Sequence, residues 1–164
     1  EQGLIVTTET SYEFAYNRIL EAVYDSANRV ELASLHLKIG RHLLETTREE
    51  DLWESVFVIA NHFSRCLNLL ESETEKEKAA SICLLAGKKA KLSAAYDAAL
   101  DYFDMGIELL GENRWDTRYD LTFALYLNAS EAAFLSTNYE KMDRLTDEAI
   151  GHTKKHWIDR KSTS

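Results

Sequence analysis

The stretch of sequence that decides the fold runs from residue 83 to residue 110 and reads CLLAGKKAKLSAAYDAALDYFDMGIELL. Small and aromatic residues recur in it at separations of three, six, three, four and three residues, at Gly87, Ala90, Tyr96, Ala99, Phe103 and Gly106. Separations of three and four place side chains on one face of an α-helix. The spacing therefore predicts two antiparallel helices that cross at their small residues, with an aromatic residue at their far end.

A weaker copy of this pattern follows between residues 126 and 150. At the same internal offsets it has Ser130, Ala133, Tyr139, Met142, Thr146 and Ala149. Both copies resemble the tetratricopeptide repeat, a helical hairpin of about 34 residues. Two features depart from that repeat: Cys83 stands where it usually has tryptophan, and its closing proline is absent. Because the copies lie 43 residues apart, we expect about nine inserted residues, as extra helix between Trp115 and Tyr126.

Composition supports an all-α fold and excludes several classes of protein. The 164 residues are 45% hydrophobic and include no proline, where average usage would give about eight. Acidic residues outnumber basic ones by 28 to 19, for a net charge of −9, which disfavours a nucleic-acid partner. Two cysteines without CxxC spacing indicate buried thiols rather than a metal or disulfide site. No apolar run approaches the roughly 18 residues of a membrane span.

Hydrophobic periodicity places the other elements. A short hairpin is predicted at the amino terminus, from the β-branched run at 4–8 and the alternating run at 12–16. A helix begins near Asn17, a second is expected over 29–46, and a third from Glu49 to about Leu70. Gly40 lies within the second of these helices, where glycine costs about 1 kcal/mol relative to alanine. It predicts a close helix crossing.

A wider resemblance rests on several of these segments. They are the Tyr-x-Phe strand, the helix Asn-Arg-Ile-x-x-Ala-x-Tyr from residue 17, Leu35-His36 with Ile39-Gly40, and the runs 59–63, 86–90 and 94–100. Their order resembles the junction between a winged helix and a helical-repeat sensor in STAND-class signal-transduction ATPases. More narrowly it is similar to large bacterial hybrid proteins that join a serine/threonine-kinase-like domain, an AAA-type ATPase, such repeats and sensor histidine kinase modules. Tyr16 stands where the broad class commonly has histidine.

This resemblance implies a division of the chain and a fold. Residues 1–28 would end a winged-helix-like segment, 29–153 would form TPR-like repeats, and 154–164 a flexible basic tail. The repeats would stack antiparallel helix pairs into a right-handed solenoid. The chain itself has no phosphate-binding glycine loop and no kinase signature. We therefore expect no cofactor in this segment, whereas ATP and magnesium are implied for neighbouring domains of a longer parent, which the resemblance makes a cytoplasmic ATP-binding kinase.

Candidate partner-binding residues follow from charge and from the aromatic positions of the repeats. They are Lys88, Lys89, Lys91, Tyr96, Tyr102, Tyr119 and Tyr126. The lysines are a basic spot on an acidic chain that an acidic peptide or phosphate would fit, and a solvated outer face is the alternative. The residues predicted to build the repeats are Gly87, Ala90, Ala99, Phe103, Gly106, Ala133, Tyr139 and Ala149.

Other constellations give weaker predictions. His152 and His156, four residues apart, would hold a metal with Asp159, although a solvated terminal segment explains them better. His62 is interpreted as a core histidine, and Ser64 and Cys66 have no general base and orienting acid at usable spacing.

The sequence thus predicts a non-enzymatic interaction or sensor module of a signalling ATPase or kinase. Its partner would be a protein, a peptide or an adjacent domain of the same chain, with no nucleic acid and no membrane, and a homodimer is an open alternative. A second reading is the repeat domain of a STAND-type transcriptional activator that binds a small effector. An enzyme would instead show a polar pocket around His36 or His62.

Overall fold

The computed structural model describes residues 5–7, 12–14 and 28–162. Two short strands, β1 (Ile5–Thr7) and β2 (Tyr12–Phe14), pair antiparallel with Ile5 opposite Phe14. The helix expected from Asn17 lies outside the described residues. The winged-helix assignment of residues 1–28 and the position of Tyr16 therefore stay predictions.

The first helix pair consists of α1 (Arg29–Thr46) and α2 (Glu49–Ser64). Asn28 caps α1, because its side chain accepts a hydrogen bond from the backbone N–H of Val30 at 3.2 Å. The bounds predicted for α1 are confirmed. The prediction that α2 continues to Leu70 is wrong, since the chain turns after Ser64 into a 3-10 helix over Leu67–Leu69. The turn lets Cys66 and Leu70 be buried, at 0% and 3% exposed.

Two further pairs follow. Helices α3 (Glu73–Leu92) and α4 (Tyr96–Leu109) form the second pair. A short α5 (Arg114–Thr117) occupies the predicted helical insertion, and α6 (Tyr119–Leu135) and α7 (Tyr139–Ser162) form the third pair. Because α7 continues through Ser162, the expected flexible tail from residue 154 is corrected to helix.

The bends within the second and third pairs have the same backbone. Ala94 and Thr137, one in each bend, have positive φ angles of 55° and 62°, and they lie 43 residues apart. In each bend an N–H reaches five residues back: Ala95 donates to the Ala90 carbonyl at 3.0 Å, and Asn138 donates to the Ala133 carbonyl at 2.8 Å. This is the Schellman end of a helix. The internal duplication predicted from side-chain spacing is therefore also present in the backbone.

The three pairs pack in chain order. Helix α1 contacts α2, α2 contacts α3, and α3 contacts α4. Helix α6 then covers both members of the second pair, and α7 packs on α6. Each helix pair thus packs on the next pair along the chain. A right-handed solenoid of TPR-like pairs agrees with this order and stays a prediction.

Glycine–phenylalanine contacts set the crossing within the first two pairs. A Cβ placed on Gly87 would lie 2.3 Å from Cε1 of Phe103. A side chain at this position would therefore displace the Phe103 ring or separate the two helices. In the first pair, a Cβ on Gly40 would lie 3.3 Å from Cε1 of Phe63. Both rings are buried, at 0% and 1% exposed. The close crossing predicted at Gly40 is confirmed, and its glycine–phenylalanine contact repeats the one between Gly87 and Phe103.

Most of the predicted repeat residues are buried. Gly87, Ala90, Ala99, Phe103, Gly106 and Ala133 are in the core, and Ala149 is half-buried. The expectation that Tyr139 helps to build the repeat is corrected. The residue is 53% exposed, and its ring makes an edge contact with Phe134. Within the described part of the chain, no helix has the length and apolar character needed to cross a membrane.

Candidate interaction surface

Two of the three lysines of the predicted basic cluster, Lys89 and Lys91, make their contacts within the fold. Lys89 donates to the Trp53 carbonyl at 2.7 Å and lies 5.4 Å from the centre of the Phe57 ring. Lys91 donates to Asn128 at 2.9 Å and pairs with Glu131 at 2.5 Å. The two ammonium groups therefore join α3 to α2 and to α6, on either side. Lys88 is exposed, so the structure does not gather the three lysines into one basic spot.

The predicted partner-binding tyrosines are also engaged internally. Tyr126 is 2% exposed and donates to Glu148 at 2.5 Å, which removes it from any contact with a partner. Tyr102 donates to Asn61 at 3.0 Å. Tyr119 is half-buried, and Tyr96 is half-buried at the start of α4. The structure does not present these four rings as one binding platform.

The terminal histidines stack on aromatic rings. His152 lies on Trp115, with ring centroids 4.6 Å apart and planes 5° from parallel. One turn later His156 lies on Tyr119, at 3.9 Å and 13°. The prediction of a solvated terminal segment is therefore wrong for both rings, which dock α7 against α5 and α6. No group of three potential metal-ligating side chains occurs among the residues that were described.

A second histidine pair joins α1 to α2. Nδ1 of His36 lies 2.9 Å from Nδ1 of His62, a hydrogen bond in which one neutral ring donates and the other accepts. Burial lowers the pKa of both imidazoles, and the nearby Arg65 guanidinium lowers both further. A small cleft of 250 Å³ opens here, lined also by Val58 and Asn61. The pocket that an enzyme would need thus has two bases, but its lining contains no carboxylate to orient them and no nucleophile.

This pair predicts a pH-dependent stability. Both pKa values are held below 6.5 in the folded state, so the unfolded chain binds protons first as the pH falls. The stabilisation is complete above pH 6.5 and is lost as the pH falls through the lowered values. We expect the urea midpoint to fall between pH 7 and pH 5, and His62→Gln to reduce that fall. His42→Gln, at an exposed site on α1, is the control, and an unchanged pH profile in His62→Gln would contradict the assignment.

Both cysteine thiols are buried. Burial raises the pKa of Cys66 to about 11 and that of Cys83 to about 12, so both are neutral near pH 7. The hydroxyl of Ser64 donates to the Asn61 carbonyl at 2.9 Å. The burial of Cys66 and Cys83 agrees with the expectation of buried thiols.

An apolar opening lies between α6 and α7. A cavity of 330 Å³ is lined by Phe123, Leu127, Ser130, Thr146, Ala149, Ile150, Thr153 and Lys154, and we call this surface the α6–α7 groove. Leu127 is 56% exposed and Ile150 is 46% exposed. A second cavity shares Thr153 and Lys154 and extends the apolar surface to Trp157 and Ile158. Contiguous apolar surface of this kind marks sites of interaction.

The groove was not predicted from the sequence, although the offset of 43 residues between the two copies indicates it. Ser130 and Thr146 occupy the positions of Gly87 and Phe103 in the preceding pair. The phenylalanine ring fills the crossing of the second pair. The smaller threonine leaves the equivalent volume open in the third.

Comparison with known proteins finds a similarity to hybrid signal transduction histidine kinase G of Dictyostelium discoideum. The two are 26% identical over 88% of this chain and 5% of that protein. The chain thus spans about 5% of the length of that relative. No family model matches the chain, and no solved structure matches it. The similarity supports a relationship to signal-transduction proteins.

Proposed function

We propose that this chain is a non-catalytic interaction segment of a multidomain signalling kinase, and that the α6–α7 groove is its contact surface. TPR-like stacking of the three helix pairs would hold the groove on a firm scaffold. Binding at the groove would change the relative orientation of the ATPase and kinase modules of the longer protein. Such a protein would act in the cytoplasm, with ATP and magnesium bound outside this segment.

The groove is the observation that carries the proposal. Its exposed leucine and isoleucine are apolar side chains that water solvates poorly, and they lie beside a cavity rather than singly on the surface. The His36–His62 cleft is the contrasting feature, because a hydrogen-bonded histidine pair between two helices is explained by packing alone. The chain is similar to a small portion of a histidine kinase, and this supports the proposal that it is one segment of a longer signalling protein.

Removal of residues 29–162 in frame from the full-length protein tests this function. We expect ATP binding by the remaining domains to persist and the regulated kinase output to change. The purified 164-residue chain, incubated with ATP and magnesium, is expected to show no hydrolysis above buffer. Unchanged kinase output after removal would overturn the proposal, and measurable turnover by the isolated chain would favour an enzyme instead. A DNA-binding domain beyond residue 164 would favour the transcriptional activator.

A further inference from the structure

We propose that the cleft beside the His36–His62 pair binds a phosphate dianion, either free or as the monoester of a small molecule. The cleft is lined by His36, Val58, Asn61, His62 and Arg65. Its volume of 250 Å³ compares with about 30 Å³ for one water in the liquid, so the five heavy atoms of phosphate fit. The site is separate from the α6–α7 groove and goes beyond the proposed function.

Arg65 brings a positive charge to the cleft without a counter-charge. It is exposed after the end of α2, and no ion pair joins it to a carboxylate of the residues that the structure describes. Burial lowers the pKa of both imidazoles, and the charge of Arg65 lowers it further. A guanidinium presents parallel N–H groups that match two phosphate oxygens. An anion in the cleft would therefore neutralise a charge that the fold leaves unpaired.

Asn61 adds a neutral donor. Its Oδ1 accepts a hydrogen bond from the Tyr102 hydroxyl at 3.0 Å, which sets the orientation of the amide and leaves Nδ2 for the cleft. The carbonyls in the last turn of α2 would repel an anion, but they already accept hydrogen bonds. The Asn61 carbonyl accepts from Ser64 Oγ at 2.9 Å, and the His62 carbonyl accepts from the Arg65 N–H at 3.3 Å.

One proton on the histidine pair completes the site. The two Nδ1 atoms face each other at 2.9 Å, which leaves Nε2 of each ring for a ligand. In the neutral pair only one Nε2 carries hydrogen, because the ring that donates through Nδ1 has its lone pair at Nε2. Uptake of a proton at that atom gives a donor on both rings and keeps the bond between them. Together with Arg65, the site then has two positive charges to match the two negative charges of phosphate.

The other titratable side chains near the pair do not change this charge balance. Cys66 follows α2, and its Sγ donates to the His62 carbonyl at 3.3 Å. Tyr102 reaches Asn61 from α4. Burial raises the pKa of both groups, that of Cys66 to about 11, so both stay neutral near pH 7. Arg65 is thus the charged side chain that acts on both imidazoles.

Titration of the 164-residue chain with inorganic phosphate at pH 7 and constant ionic strength, followed by NMR, tests the site. We expect saturable shifts of the His36 and His62 ring signals and of the Asn61 side-chain amide. O-phosphoserine that binds more tightly than inorganic phosphate would assign the cleft to a monoester, and the reverse order would assign it to the free ion.

Sulfate is the probe for the pH dependence, because it keeps two negative charges between pH 8 and pH 6. Its binding is expected to tighten as the pH falls over this range, since the histidine pair takes up a proton when the anion binds. His62→Gln is expected to remove this dependence. His42→Gln, at an exposed position of α1, is the matched control and should leave it unchanged.

Two substitutions locate the anion. Arg65→Gln and Asn61→Asp are each expected to weaken phosphate binding at least tenfold. The first removes the guanidinium, and the second keeps an acceptor for Tyr102 but places a negative charge in the cleft. Arg144→Gln is the matched control, because Arg144 is exposed on α7 and does not line the cleft, and binding should stay within twofold. Circular dichroism and thermal unfolding show that each variant is folded.

Three results would overturn the inference. The first is a set of shifts that do not saturate at millimolar phosphate. The second is binding that Arg65→Gln and Asn61→Asp weaken no more than Arg144→Gln does. The third is sulfate binding that depends on pH as strongly in His62→Gln as in the parent chain.

Discussion

Replacement of Phe103 by alanine is expected to lower the free energy of unfolding by about 3–5 kcal/mol. The ring is fully buried and packs against the face of α3 at Gly87, where no side chain exists to close the gap. The variant loses the transfer free energy of the ring and leaves a cavity between α3 and α4. Urea unfolding followed by circular dichroism measures the change.

Tyr139→Ala is the matched control for this substitution. Spacing alone assigned both aromatic residues to the repeat framework, but Tyr139 is 53% exposed. Its replacement is expected to cost less than about 1 kcal/mol, since substitutions of exposed side chains change stability little and Asn138, which caps α7, is retained. Equal losses for the two variants would contradict the packing described for the second and third pairs.

Glu148→Leu is expected to lower the free energy of unfolding by about 2–6 kcal/mol, because it leaves two buried donors unpaired at about 1–3 kcal/mol each. The Glu148 carboxylate accepts from the Tyr126 hydroxyl at 2.5 Å and from the Trp115 indole N–H at 3.3 Å. Both rings are nearly buried, at 2% and 6% exposed. Leucine would leave their donors without an acceptor, and the Arg114 guanidinium, 3.9 Å away, would lose its counter-charge. Thermal and urea unfolding report the loss.

Glu148→Gln tests how much of this loss comes from the missing hydrogen-bond acceptor, because glutamine has nearly the same size as glutamate. Glutamine keeps an acceptor oxygen at nearly the same length, so most of the stability should return, with a residual loss of about 1 kcal/mol or less. A Glu148→Leu chain as stable as the parent would show that this carboxylate does not hold α5 and α6 to α7. Burial and the hydrogen bond to Glu148 together raise the pKa of the Tyr126 hydroxyl to about 12, so it stays a neutral donor near pH 7.

Local structure was accessible from the sequence. Spacing placed α1 at its observed bounds and identified the pairs that contain Tyr96 and Tyr139. Helix periodicity, caps and bends depend on residues a few positions apart, and these are visible in one sequence. The stop of α2 at Ser64 was missed because the apolar rows continue to Leu70, and the turn there serves burial of Cys66 against other parts of the fold.

The candidate site was much less accessible. Lys89, Lys91 and Tyr126 looked available because their partners lie 22 to 40 residues away in the sequence. The terminal histidines looked solvated because Trp115 and Tyr119, on which they stack, belong to earlier helices. A single sequence does not say which long-range pairings form.

By itself the sequence determined an acidic, proline-free, helical chain with a duplicated hairpin, because these properties follow from composition and from spacing along one helix or between two adjacent ones. Only the tertiary structure decided which faces remain uncovered. In the fold, Lys89 and Lys91 make internal contacts and Tyr126 is buried, whereas the α6–α7 groove stays open. The physical reason is that exposure of a side chain depends on volumes contributed by several helices at once. The exchange of Gly87 and Phe103 for Ser130 and Thr146 has its consequence only where α6 and α7 meet.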